Sequence, residues 1–185
     1  MRRSSLLATA LAALPALPAV AQGCPPAPDI EARLDALVAE AQGAGSEGEA
    51  RRAAAGMWTL WTEAPDARAQ GLLDEGMGRR AVFDLQGAVA AFDALVLYCP
   101  DYAEGYNQRA FANFLREDYA AALPDLDRAI ALSPRHVAAI SGRGLTLIAL
   151  GRIREGQEAI RAALALNPWL SERQYLELRP ETTDL

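Results

Sequence analysis

Apolar residues along this chain recur at helical spacing, and small and bulky positions repeat on a fixed interval. Pro100, Pro134 and Pro168 lie 34 residues apart, and each closes a run of one kind: Phe92 to Pro100, Leu126 to Pro134, Ile160 to Pro168. In step with them, Gly76, Ala110 and Gly144 share a register, and Ala88, Ala122 and Gly156 share a second. Bulky residues hold two more, Leu72/Tyr106/Ile140 and Leu85/Tyr119/Ile153. A period of this length predicts a stack of supersecondary units. The small residues let two antiparallel helices approach closely, the bulky ones fill the space around that contact, and each proline stops the second helix. A single unit cannot bury its apolar side alone, so the units must stack.

The segments Ala103–Ala110, Asp118–Ala122 and Arg128–Pro134 resemble the tetratricopeptide repeat family, as do Ser141–Gly144 and Ala163–Pro168. The resemblance covers about residues 69–170 as three units. It implies an all-α, right-handed α-solenoid of antiparallel helix pairs. Before the units, residues 22–28 read as a proline-rich tail and 29–65 as a degenerate capping helix pair. There Asp29 caps a helix bearing Ile30, Leu34, Leu37, Val38 and Ala41 on one face. A turn at Gly43–Ser46 leads to a second helix from about Glu47 to Thr62. This pair is expected to stack on the first full unit and close that end. Trp169–Leu178 is expected to form a short capping helix at the other end, with 171–185 as its end and tail. Pro124 falls past the first turn of its helix and should remove one backbone bond and bend it.

The first 21 residues have the outline of a secretory signal: Arg2 and Arg3, an apolar run from Leu6 to Leu17, then small residues before a cut after Ala21. The chain is accordingly expected in the periplasm or secreted. Ala21 and Gln22 depart from the residues that precede a lipidated cysteine, so membrane attachment through Cys24 is not favoured. Losing Arg2 and Arg3 leaves 16 basic against 24 acidic residues. With that acidic balance, no lysine and no basic tract, nucleic acid is not an expected partner. Cys24 and Cys99 are the two cysteines; in an oxidising compartment they read as one disulfide, the alternative being two free thiols. A lone histidine excludes a Cys–His metal cluster.

The family resemblance implies that first helices line a concave surface where partners lie. Projected onto this chain, that surface holds Leu73, Met77 and Arg80 from the first unit, then Asn107, Phe111 and Phe114, then Ser141, Leu145 and Ile148. Met77, Phe111 and Leu145 would form an apolar ladder suited to a peptide segment. The alternative is that the chain's own terminal helices cover this stripe. Some family members grip a terminal carboxylate; here the matching places hold Leu73, Met77, Gln108, Ala138 and Gly142, so that clamp is missing. Arg109 and Arg143 are expected to pair with Glu75, Asp125 or Asp127, the acids Asp74, Glu75, Asp125 and Asp127 to be surface charge, His136 to be solvated, and Trp58 and Trp61 to be packing residues. No nucleophile–base set or phosphate loop is legible. The expectation is a scaffold in a cell-envelope assembly that binds a protein or peptide, with no cofactor, metal, small-molecule substrate or catalysis. The competing reading is a structural, self-associating repeat protein.

Overall fold

The computed structural model describes residues 23–179. The signal segment expected over 1–21 and the end of the C-terminal tail lie outside the described residues. Among those described there are eight α-helices and no strand: α1 (Glu31–Gly43), α2 (Glu47–Trp61), α3 (Ala67–Ala81), α4 (Leu85–Tyr98), α5 (Ala103–Leu115), α6 (Tyr119–Leu132), α7 (Val137–Ala149) and α8 (Ile153–Leu166). A 3₁₀ turn, Ser171–Glu177, follows α8. The three repeat units are α3–α4, α5–α6 and α7–α8, and they stack in a helical solenoid.

Helix starts follow residue chemistry. Ser46, Asp66, Asp84 and Asp118 each accept a backbone N–H three residues on, which satisfies a donor that the helix itself leaves free. The Ala69 N–H and the Tyr98 hydroxyl together hold the Asp66 carboxyl below its ordinary range. α1 begins one residue later than a strict Asp29 cap would place it, yet Asp29 Oδ1 still accepts the Glu31 N–H at 3.2 Å. α6 continues through Pro124, whose ring nitrogen has no hydrogen to give to the carbonyl one turn back.

The small registers are where helices touch. A Cβ at Gly144 would stand 2.9 Å from the Gly156 carbonyl oxygen, and one at Gly156 would stand 2.6 Å from the Gly144 oxygen. These are backbone-to-backbone approaches that no side chain can yield to. Charge follows the period as well: Arg109 reaches Asp93 at 2.7 Å and Arg143 reaches Asp127 at 2.6 Å, the same step one unit on. Arg109 also forks onto both oxygens of Asp125 at 2.6 and 2.7 Å. Glu75, an expected partner of these arginines, pairs with Arg79 in its own helix instead. Asp125 is buried, so its reading as surface charge is wrong: the guanidinium of Arg109 goes in with it. That contact holds the Arg109 guanidinium more firmly charged than usual.

The N-terminal pair does not cap the first unit. α1 and α2 fold back as a hairpin, with Gly56 set close against Leu37. Leu34, Val38, Ala41, Met57, Leu60 and Trp61 form a core with Val137 of α7, against which Leu166 and Leu170 pack. Polar contacts fix the same placement: Gln42 donates to the Ala165 carbonyl at 2.7 Å, and Asp35 pairs with Arg135. The hairpin therefore crosses the inner side of the stack to reach the third unit. The small face of α3 at Gly76 is taken by Phe92 of α4, as Gly144 of α7 is taken by Ile160 of α8, so these registers serve pairing within each unit and the hairpin is placed by the contacts just named. Cys24, just before the hairpin, meets Cys99 at the end of α4, with sulfurs 1.98 Å and Cα atoms 5.1 Å apart. At the far end, the Gln157 amide donates to the carbonyls of Tyr175, Leu176 and Leu178, fastening the 3₁₀ turn on α8.

Two substitutions test this reading. Gly156→Ala should lower unfolding stability by about 2–3 kcal/mol in denaturant titration, because the backbone contact cannot relax; a neutral result would mean α7 and α8 can part. The α3–α4, α5–α6 and α7–α8 turns each place one residue at positive φ: Phe83 (64°), Glu117 (61°) and Gly151 (78°). Phe83 is strained there and 76% exposed, so Phe83→Gly should raise stability by about 1 kcal/mol. A loss of stability would show that the ring has a packing role.

Candidate functional site: a cleft under the N-terminal hairpin

α2, α5 and α7 enclose a cleft of about 370 Å³, into which the 3₁₀ turn and the end of α3 also reach. Its hairpin wall carries Met57, Trp58 and Trp61; its repeat wall carries Phe111, Phe114, Ser141 and Leu145, with Arg80 at the α3 side. Helical spacing explains the repeat wall. Asn107, Phe111 and Phe114 stand one turn apart on α5, and Ser141 and Leu145 one turn apart on α7. Trp58 and Phe111 remain 38% and 45% exposed across the opening, so the cleft has a mouth.

A buried polar chain runs beneath it. Glu104 is 1% exposed and His136 is fully enclosed. The Ala139 N–H donates to His136 Nδ1 at 3.3 Å, so the ring hydrogen sits on Nε2 and is donated to Glu104 Oε2 at 2.7 Å. Asn107 Nδ2 donates to the same oxygen at 3.0 Å, and the Gln108 amide donates to the other. The Gln108 carbonyl in turn accepts from Arg80. Trp61 closes the chain from above: its ring stacks on His136 with centroids 4.2 Å apart and planes 10° apart. The Tyr102 hydroxyl donates to the Trp61 carbonyl at 2.7 Å. Burial, with the Glu104 charge adding to it, pushes the Tyr102 phenol far above its ordinary range. Burial pulls the Arg80 guanidinium down. Two buried polar atoms in the cleft lining have no hydrogen-bond partner, Trp61 Nε1 and Ser141 Oγ.

No family model matches the chain. Among curated relatives, tetratricopeptide repeat protein 36 of Bos taurus is 37% identical over 101 residues, covering 52% of this chain and 54% of that protein. A TPR repeat-containing protein of Rhizobium etli is 35% identical over 60 residues, 32% of this chain and 29% of the other. The chain thus spans about half or less of the length of these relatives. Among solved structures, the TPR2B domain of yeast Sti1, in its complex with pHsp70, superposes with a TM-score of 0.55 at 25% identity, over 60% of this chain and 91% of that one. In sequence and in fold the chain is similar to tetratricopeptide repeat proteins.

The inner face of this repeat stack differs from an open groove. Of the nine residues projected onto it, Arg80, Asn107, Phe111, Phe114, Ser141 and Leu145 line the cleft. Leu73 is fully buried in the α3–α4 core, and Met77 packs against that core. Ile148 faces Gly156 within its own unit. The Met77–Phe111–Leu145 ladder is therefore interrupted at its first rung. Gln108, Ala138 and Gly142, from the places of a carboxylate clamp, do line the cleft. His136 is not solvated, because the returning hairpin covers it. Trp61 is buried packing, whereas Trp58 stands at the mouth and is not core. The sequence reading missed Met57 as a lining residue, and Glu104 and His136 as the buried polar network that holds the hairpin. One signal was available: Tyr102, His136 and Leu170 share the 34-residue register, and all three contact or pack against the hairpin core. Among the described residues no group of three His, Cys, Asp or Glu side chains could hold a metal ion.

Glu104→Ala should cost about 3–5 kcal/mol in denaturant titration, since it leaves the donors of His136, Asn107 and Gln108 buried without an acceptor. Hydrogen exchange should rise in α2 more than in α8; equal protection of α2 in both proteins would show that the network does not hold the hairpin.

Proposed function

We propose that this protein is an exported, non-catalytic scaffold that holds a partner polypeptide at the cleft between α2, α5 and α7, within a cell-envelope assembly. The observation that carries this reading is the pair of aromatic rings, Trp58 and Phe111, left exposed on opposite walls of an apolar cleft. Exposed aromatic side chains over a pocket are what a partner's anchor residue needs. The likeness to the Sti1 domain, which is described with pHsp70, supports a polypeptide as the partner class. Because α2 occupies part of the inner face, the partner contributes a short apolar segment rather than a long extended peptide. Export is supported by the signal-like start and by Cys24 and Cys99 standing at bonding distance, which suits a disulfide in an oxidising compartment. The buried His136 is committed to Glu104 and the Ala139 N–H, which leaves no free base beside a nucleophile.

A second reading, a closed structural or self-associating repeat protein, is favoured by the hairpin's own coverage of the inner face. Crosslinked pull-down from envelope extract, run beside light scattering over a concentration series, separates the two. Wild-type protein should recover a defined partner while staying monomeric alone. Phe111→Asp should lower that recovery by about tenfold or more, as loss of a central anchor does. Equal recovery by the variant would move the site away from the cleft, and concentration-dependent dimers with no partner would favour self-association.

A further inference from the structure

The interior of the cleft has a chemistry that a purely apolar anchor leaves unused. Arg80 brings a positive charge to its lining, and the only other charged residue there, Glu172, comes from the 3₁₀ turn. Arg80 has no carboxylate within ion-pair distance among the described residues. It gives a hydrogen bond to the neutral Gln108 carbonyl and lies 4.5 Å over the Phe111 ring. Glu104 stands one residue further back, with its oxygens already engaged by His136, Asn107 and Gln108. The desolvation of Arg80 is thus incurred in the folded protein, while its strongest kind of partner is missing. Ser141, 3% exposed, and Trp61, 6% exposed, add an unpaired hydroxyl and an unpaired N–H to the same lining. Two residues with an orphaned polar group and one desolvated cation thus share the lining of one cleft, a combination that suits an acceptor-bearing anion. Met57, Phe114 and Leu145 supply the hydrocarbon surface around it. With α2 seated on the inner face, the room left suits a compact molecule: about 370 Å³ lies near the lower end of small-ligand pockets.

We infer that this cleft binds a small amphipathic monocarboxylate, an aliphatic or aryl acid whose carboxylate pairs with Arg80 and whose body lies between Met57, Trp58, Phe114 and Leu145. This ligand would occupy the space that a partner's anchor enters, but its binding does not depend on the scaffold reading. Decanoate is the probe, with decanol of the same chain length as the neutral control, followed by calorimetry and by the fluorescence of Trp58 and Trp61. Decanoate should bind saturably at one site, and decanol at least tenfold more weakly. Arg80→Met should weaken decanoate by about tenfold or more and leave decanol unchanged, with its melting curve checked against wild type. The decanoate–decanol comparison stands on wild-type protein alone should that variant not fold. No saturable decanoate binding, equal affinity for the two probes, or decanoate binding undiminished in a folded Arg80→Met protein would overturn the assignment. So would a blocked apolar peptide bearing one glutamate that displaces decanoate with higher affinity, since the site would then belong to a polypeptide. Failure of partner recovery from the envelope extract leaves all of these outcomes unaffected.

Discussion

The contact on which the rest of the molecule turns is the stacking of Trp61 on His136. Below it, the imidazole is fixed from both sides, by the Ala139 N–H at Nδ1 and by Glu104 at Nε2. Above it, the indole is the last residue of α2, so its position sets where the whole hairpin lies. An offset aromatic stack contributes only about 0.5–1.5 kcal/mol beyond the area it buries. Its larger effect is exclusion of water, which strengthens the Glu104 hydrogen bonds and makes each of them costly to break. The hairpin and the polar chain therefore hold each other in place.

The repeat units obey a simpler constraint, contact between backbones. Where Gly144 faces Gly156, the two helices come together with no side chain between them. Close approach would be indifferent to register if packing alone decided it. The arginines add direction: Arg109 to Asp93 and Arg143 to Asp127 tie the first helix of each unit to the second helix of the preceding one. The exposed pairs contribute little each. The Arg109–Asp125 fork differs, because Asp125 is buried and would stand uncompensated without it.

The site is a product of both constraints. The solenoid supplies a curved wall with Phe111, Phe114 and Leu145, and the hairpin supplies a second wall with Met57 and Trp58. Neither wall alone encloses the space. An open groove presents a long track to an extended chain, whereas this cleft presents a short one with a charge at one side. Under the proposed reading, recognition rests on a few residues near Arg80 and less on the length of the repeat array.

The 34-residue period, the small and bulky registers and the helix-stopping prolines determined the three helix pairs from sequence alone, because these are local requirements of backbone geometry. Arg143–Asp127 and Arg109–Asp125 were legible as acids within reach of these arginines on adjacent helices, whereas Arg109–Asp93, the repeat of Arg143–Asp127, was not anticipated. The course of the hairpin was not legible. Its apolar face reads alike whether it meets α3 or the inner side of α5 and α7, and the contacts that place it, Trp61 on His136, Gln42 on Ala165 and Asp35 with Arg135, join residues far apart in the chain. His136 followed the hairpin: a polar residue after Pro134 looks solvated until another helix arrives over it. Leu73 and Met77 show the same limit in reverse, since a register places a residue on a face but the neighbouring helix decides whether that face is surface or core. Sequence thus fixed each unit and its stacking, where interactions are near in the chain. Tertiary structure decided the cleft, whose walls lie up to a hundred residues apart and meet only because Trp61 has His136 to rest on.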